Sequence, residues 1–438
     1  MSDPHQATPA GYRRGARADA CPGALTTHEA ADGQLARVRV PGGRLRAGQL
    51  RELAACAEEF GDGVLHLTSR GNVQLRGLGA DAGLADRIAA AGLLPSASHE
   101  RVRNIVASPL SGLSGGVADV RPLAGELDEA VCARPELASL PGRFLFGLDD
   151  GRADVADDRI DACWYALDAG TGALVLAGRD TGLRVPAGRA ADALVEAAAT
   201  FGRVRGDAWQ VRELDDRADR IADAVAAQLG SGVGRARQTP RALPRSAEPP
   251  LGATRQDDGG WLVVAGITFG AISGAQARTL AGLAGTVTLT PWRSVVVGDI
   301  DADAVDTVIA GLDAAGFLLS EGAPEHAVGA CIGSPGCAKS RADVRADVSE
   351  VMRTAGGALA GAATAAHFSG CERRCGRPRA EHVDVLAEGD GYRVDGNWVP
   401  VERLAEALAC ATNAGGEAAA DHGHTARPGR TQQERTGS

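Results

Sequence analysis

Lysine is almost missing from this chain: among 46 lysine and arginine residues, only Lys339 is lysine. A basic complement made of arginine supplies rigid forks for carboxylates. It follows equally from GC-rich codon usage, with which the many alanines and glycines agree. With 56 acidic residues the net charge is -10, which excludes a general affinity for nucleic acid. Long apolar runs are missing too. The longest charge-free stretch, WLVVAGITFGAISGAQA, is broken by Gly, Thr and Ser and falls short of a membrane span. The opening MSDPHQATPAGYRRGARADA has no apolar core of a secretory signal. Nine cysteines in 438 residues are odd in number and too sparse for a disulfide scaffold. Together these absences predict a soluble, cytoplasmic protein without membrane or nucleic-acid partners, whose thiols stay reduced and free to bind metal.

What is present is a doubled text. GVLHLTSRGNVQLRGL (63–78) is echoed by GTVTLTPWRSVVVGDI (285–300), and AAAGLLPS by LDAAGFLLS. RVRNIVASPLSGLSG (101–115) aligns with AVGACIGSPGCAKSR (327–341), matching Ser108-Pro109 to Ser334-Pro335. VPAGRAADALVEAAA is echoed by VPVERLAEALACA. Four blocks in one order divide the chain into copies of about 20–205 and 250–412. Each copy opens with a strand, a helix, a strand pair and a second helix, exemplified by QLARVRV, RAGQLRELAACAEEF, VLHLTSRGNVQLRGL and GLADRIAAAGL. Each ends in a hairpin and a helix; in the second copy Asp390-Gly391 is the expected turn. The Gly-, Pro- and Arg-rich stretch 230–258 reads as a linker. Residues 1–18 and 413–438, nearly free of large apolar side chains, read as disordered.

Cysteines cluster in the second copy. CIGSPGC brings Cys331 and Cys337, and GCERRCG brings Cys371 and Cys375, in Gly-rich loops that suit four thiolate ligands. Four thiolates suffice for one [4Fe–4S] cube; a four-cysteine zinc site is the alternative, although zinc knuckles favour shorter spacing. An amphipathic helix follows Cys337, with Val344, Val348 and Val351 on one stripe. In the first copy the aligned positions are Ile105 and Ser111, so that copy offers no thiols. Cys21, Cys56, Cys132, Cys163 and Cys410 lack a partner pattern and read as structural.

LTSRGNVQLRG resembles the TTRxxxQxxG signature of the nitrite/sulfite reductase ferredoxin-like half-domain, and CIGSPGC…GCERRCG resembles that superfamily's cluster motif. The likeness covers about 20–412. It implies an α+β fold with a two-fold internal repeat, each copy a ferredoxin-like half-domain followed by a larger α/β domain. The half-domains are expected at 20–97 and 259–322, a cluster-free α/β domain at 98–229 and a cluster-binding one at 323–412. Within the superfamily the chain looks most like the precorrin-3B synthase branch, monooxygenases of aerobic cobalamin synthesis. In the reductases a basic stretch over the haem binds the oxyanion; the corresponding LPGRFLFGLDDG keeps Arg143 but has Leu145 where a second cation is expected.

That resemblance implies a [4Fe–4S] cluster on Cys331, Cys337, Cys371 and Cys375, O2 as co-substrate, and NADH or a reduced electron carrier as donor. It allows for a mononuclear non-haem iron as well, with His66, His99, His326, His367 and His382 as candidate ligands of no recognisable spacing. An electron-donor protein is a compatible partner, and precorrin-3A the implied substrate. Alternation puts His66, Thr68, Arg70, Gln74 and Arg76 on one polar, cationic sheet face, either solvated or a floor for a polycarboxylate tetrapyrrole. By resemblance Thr68, Arg70, Gln74 and Arg76 contact the macrocycle, joined by Arg103, Asn104 and Arg143. Two other functions fit the motifs: a sirohaem-dependent sulfite or nitrite reductase, and a non-catalytic iron–sulfur electron carrier.

Overall fold

QLARVRV folds into the strand Gly33–Val38, and its following stripe into the helix Ala47–Phe60, whose Leu50, Leu53, Ala54 and Ala57 recur at helical spacing and are buried. The strand pair Val64–Leu67 and Val73–Leu78 and the helix Leu84–Ala90 complete the first half-domain. Its counterpart runs through Gly252–Arg255, Trp261–Gly266, the helix Gly274–Leu283, Thr286–Leu289, Ser294–Ile300 and the helix Val305–Ala314. This computed structural model describes residues 19–79, 83–157, 159–236, 248–378 and 380–420. The chain divides into two units, Met1–Ser320 and Glu321–Ser438.

The two half-domains exchange strands. Arg44–Arg46 of the first copy extends the second copy's sheet, with Leu45 opposite Val287. Ala271–Ser273 of the second copy extends the first copy's sheet, with Ile272 opposite Leu65. Each short strand follows a left-handed reversal, Gly42-Gly43 in one copy and Phe269-Gly270 in the other. A side chain on Gly43 would bring its Cβ 2.2 Å from the Leu289 carbonyl oxygen, so the exchange needs glycine there. One core results, in which Ala36, Leu45, Leu65 and Leu75 pack with Val263, Ile272, Val287 and Val297.

The first copy's larger sheet runs in the order Ile105–Ala107, Phe146–Asp149, Ala162–Ala166, Thr171–Leu176, Arg179–Pro186, Gly234–Arg235. Its first three strands are parallel and the rest antiparallel. Helices Arg121–Cys132, Ala190–Val204 and Ala218–Leu229 close a core containing Leu127, Phe146, Trp164, Leu194, Phe201 and Ile221. In the second unit the strands Val328–Ala330, Ala366–Ser369, Val383–Glu388, Gly391–Val394 and Asn397–Pro400 repeat the same parallel-then-antiparallel order. The helix Val344–Leu359 buries Val344, Val348 and Val351, with Asp343 capping its N-terminus. The architecture is α+β with an internal two-fold repeat.

Three boundaries differ from expectation. The stretch 230–258 carries strands at both ends, because Gly234–Arg235 joins the first copy's sheet and Gly252–Arg255 opens the second half-domain; 237–247 lie outside the described residues. The last helix, Leu404–Ala420, continues past 413, as its alanine-rich sequence favours; 421–438 and 1–18 lie outside the described residues. The final hairpin turns at Gly389-Asp390, since Gly391 already pairs with Glu388 and Gly389 takes the left-handed φ of 62°. Among the described residues no helix is long and apolar enough to cross a membrane.

Candidate active site and metal centre

Ala36, Val38, Leu65, Leu67, Val73 and Leu75 face the half-domain core, so alternation sends Arg37, Arg39, His66, Gln74 and Arg76 to the opposite face. Arg37 lies opposite Gln74 and donates from Nη2 to its Oε1 at 3.2 Å, while its Nε is buried without a hydrogen-bond partner. Arg39, 1% exposed, donates only to main-chain oxygens of Pro22, Arg37 and Arg101. Arg70, in the turn between strands, donates to the carbonyls of Gly142 at 3.2 Å and Arg143 at 3.1 Å. Among the described residues none of these three arginines is ion-paired to a carboxylate. Burial, then Arg37 and Arg70, press Arg39 down to about 9. Burial, then Arg37, lower Arg70 to about 10, and burial lowers Arg37. Glu100 and Asp161 act on Arg39 and Arg70 without pairing with them, so burial still lowers all three arginines and the face can take further negative charge. The period-two arginines of ARVRV hold this signal in the sequence; read simply as a strand, they are missing from the expected ligands.

Several expected ligands turn out to be engaged internally. Arg76 pairs bidentately with Asp32, both contacts at 2.9 Å. Arg103 does the same with Asp128 at 2.7 Å and donates to Leu93 O. Asn104 donates to the carbonyls of Arg101 and Gly142 and accepts from Asn72. Thr68 Oγ1 accepts from the amides of Arg70 and Asn72 and closes the turn, as Thr290 does in the second copy with Trp292 and Ser294. Arg76, Arg103 and Asn104 are therefore engaged by the scaffold before a ligand arrives, while the Thr68 hydroxyl accepts twice and keeps its own hydrogen to donate. Arg70, Gln74 and the exposed Arg143, whose guanidinium stands 5.4 Å from the Trp209 ring centroid, remain available.

Beside Arg70 opens a cavity of about 260 Å³. Arg70, Arg143, Arg159 and Arg212 give it positive charge, Val106, Leu145, Val155 and Ile160 an apolar wall, and Trp292 reaches it from the second copy. Leu145 thus places an apolar surface beside Arg143. Among the described residues Asp154 is the sole acid in the lining. The volume lies below the roughly 300–1,000 Å³ of sites that enclose a drug-sized ligand. It suits a small reactant or one arm of a larger molecule.

In the second unit, Cys331 leaves the strand Val328–Ala330 with its amide donating to Phe368 O at 2.9 Å. The Gly370 amide donates to Cys331 Sγ at 3.3 Å. A Cβ at Gly370 would lie 1.8 Å from Ser340 Oγ, so glycine is required where the two loops meet. Buried His367 hydrogen-bonds through Nε2 with the Cys375 carbonyl at 3.1 Å. Burial, then Cys331, Cys371 and Cys337, push the Cys375 thiol up: the four cysteines converge. Four sulfurs that disfavour one another as thiolates fit an iron–sulfur core. Among the described residues no three of them lie within 4.8 Å of one another.

Among the histidines, His99 is engaged at both ring nitrogens, by Ser96 and Ser98 and by the Arg134 carbonyl, and His66 pairs through Nε2 with Asp62, whereas His382 bonds the Ala380 carbonyl through Nδ1 and leaves Nε2 buried without a hydrogen-bond partner. Among the described residues the one group of three close ligand side chains is Asp149, Asp150 and Asp154. Asp149 already accepts from four amides, those of Gly151, Ala153, Val155 and Ala156. Asp150 chelates Arg152. Two of the three are thus engaged by their own chain, while Asp154 keeps one oxygen without a hydrogen-bond partner.

Comparison with known proteins now bears on these sites. The model of the nitrite/sulfite reductase ferredoxin-like half domain matches residues 27–82 and 254–315, the two halves that exchange strands. A precorrin-3B synthase from Sinorhizobium sp is 30% identical over 399 residues, 88% of this chain and 83% of that protein. The chain belongs to the precorrin-3B synthase family. Membership makes it an oxidoreductase of the monooxygenase type. The wider superfamily is visible too: an assimilatory ferredoxin-dependent nitrite reductase from Haloferax mediterranei is 24% identical over 419 residues, covering 81% of this chain and 71% of that protein. The solved structure of the Mycobacterium tuberculosis NirA protein has the same fold, with a TM-score of 0.66 at 20% identity over 85% of this chain and 79% of that chain.

Within this family fold the two copies can be aligned strand by strand at their loops. The amides of Ser108 and Cys331 make the same ladder bond, to Leu148 O and Phe368 O. The amide of Asp150 donates to Ser108 Oγ at 3.1 Å as that of Gly370 does to Cys331 Sγ. Ser108, not Ile105, is therefore the counterpart of Cys331. Matching the Ser-Pro pairs shifts the alignment by three residues, because ladder partners, not a recurring dipeptide, determine register. Where the second copy has its cysteine loop, the first has the acidic loop 149–156.

Proposed function

We propose that this protein catalyses O2-dependent hydroxylation of precorrin-3A, with γ-lactone formation, in aerobic cobalamin biosynthesis. The observation that carries this is the trio Arg37, Arg39 and Arg70, of which Arg39 is buried and the other two half-buried, none of them ion-paired to a carboxylate among the described residues. A tetrapyrrole with acetate and propionate arms supplies the missing anions, and Arg70, Gln74 and Arg143 orient it by charge-assisted hydrogen bonds. Being metal-free, it offers no iron for the cluster cysteines to bridge. Leu145 and its apolar neighbours give the cavity a wall against which neutral O2 can sit, while its arginines can take an anionic arm of the substrate. Cys331, Cys337, Cys371 and Cys375 would hold a [4Fe–4S] cluster, which supplies single electrons drawn from reduced nicotinamide or an electron-carrier protein.

The test is anaerobic purification followed by iron, sulfide and pigment analysis, then incubation with precorrin-3A, O2 and a reductant. The expected result is about four iron and four sulfide per chain, no extractable haem, and a product heavier by one oxygen atom. Extractable sirohaem, or unchanged precorrin-3A with a loaded cluster, would overturn the proposal.

A further inference from the structure

Asp154 has the surroundings of a proton donor. Its side chain, 1% exposed, lies in the loop after the strand Phe146–Asp149 and lines the arginine-rich cavity. Oδ1 accepts a hydrogen bond from Ser108 Oγ at 2.5 Å. Oδ2 is buried with no hydrogen-bond partner. Arg152 Nε is 3.7 Å from Oδ2, but that guanidinium is chelated by Asp150.

Ligand oxygens of Asp149 and Asp150 lie within 4.8 Å of that of Asp154. A third ionised carboxyl here would add like charge in a dry place and leave an oxygen unsolvated. A protonated one turns Oδ2 into a donor, and Asp154 is among the residues that line the cavity. Burial, then Asp149, raise its pKa to about 7, with Asp150 adding to the effect and Ser108 and Arg152 opposing it. The other charged groups of the lining are cations: Arg70 and Arg143, Arg159 paired to Asp157, and Arg212 donating to Gln210.

We propose that Asp154 is the catalytic acid of this cavity, handing a proton to the oxygen atom of O2 that leaves as water. The proposal rests on the oxygenase reading above. Placing one oxygen atom in a carbon–hydrogen bond and releasing the other as water consumes O2, two electrons from the nicotinamide or carrier, and two protons. Asp154 supplies one proton, its O–H bond breaking as an O–H bond of the water forms. Solvent supplies the second and recharges the carboxylate. Ser108, holding Oδ1, keeps the proton on Oδ2.

The experiment is the pH profile of kcat and KM for precorrin-3A turnover by the cluster-loaded protein. In the wild type, kcat falls as pH rises through about 7, because the protonated acid is the active form. Asp154→Asn preserves shape and the contact with Ser108; kcat should drop by about 100-fold, the low end for general acid catalysis, with KM little changed and the alkaline limb gone. Ser108→Ala removes a bond that holds the pKa down, so the limb should move to higher pH. A wild-type kcat in Asp154→Asn, or an alkaline limb that survives there, overturns the proton role alone. No turnover by the wild type overturns the oxygenase reading and the proton role with it.

Discussion

Arginines of similar appearance in the sequence divide into two kinds once their neighbours are known. Arg103 and Arg76 carry their own carboxylates, whereas Arg37, Arg39 and Arg70 carry none among the described residues. Arg70→Ala should weaken tetrapyrrole binding by about tenfold or more, since a hydrogen bond to a charged group contributes about 1.5–3 kcal/mol, and should leave iron content unchanged; fluorescence titration with a metal-free uroporphyrin checks this. Arg103→Ala should instead lower stability by about 3–5 kcal/mol, because it strands Asp128 in the interior; urea denaturation reads that loss. Cys371→Ser should abolish the cluster absorbance. Retention of full iron and sulfide would remove it from the ligands.

Two buried carboxyls give stability a pH dependence. Asp161, accepting from the amides of Leu145 and Val211, is raised to about 7 by burial, as Asp154 is by burial and Asp149. Between about pH 4 and 7 the folded chain therefore binds protons that the unfolded chain has released, so stability falls as pH rises through this window. The melting temperature should drop over that range, and less steeply in Asp154→Asn, which removes one of the titrations.

At the scale of elements, the helices and the main strand pair are written in local periodicity, as Leu50, Leu53 and Ala57 or Val73 and Leu75 show. The exchanged strands Arg44–Arg46 and Ala271–Ser273 are not. Three residues hold too little alternation to read, and their partners Val287 and Leu65 lie far away in the chain. Because Leu45 and Ile272 are fully buried in the shared core, Leu45→Ala and Ile272→Ala should each cost about 2–5 kcal/mol. Both halves should melt together in one transition; separate melting of the two would contradict a common core.

For the whole molecule, duplication was legible from four echoed blocks, and so was the asymmetry of thiols, since the first copy has no cysteine pair. Iron analysis should accordingly find one cluster per chain, about four iron atoms, and not two clusters. The two cysteine pairs stand out in the sequence because Cys-x5-Cys and Cys-x3-Cys are local spacings. Asp154 could not. Asp and Glu are common in loops, and nothing in DDGRADV reveals that one carboxyl is buried, keeps one oxygen without a hydrogen-bond partner and lines a cavity.

Sequence alone determined the doubled α+β plan and the family likeness, and it marked out the two cysteine pairs, because periodicity and motif spacing are properties of neighbouring residues. Tertiary structure decided which cations are neutralised. Arg103 meets an acid 25 residues away and Arg76 one 44 residues away, and no local pattern records such pairings. It also decided that Ser108 stands where the second copy has Cys331, and that Asp154 stays dry beside arginines. Register, burial and counter-ions arise when distant segments pack, and the chemistry of this protein depends on all three.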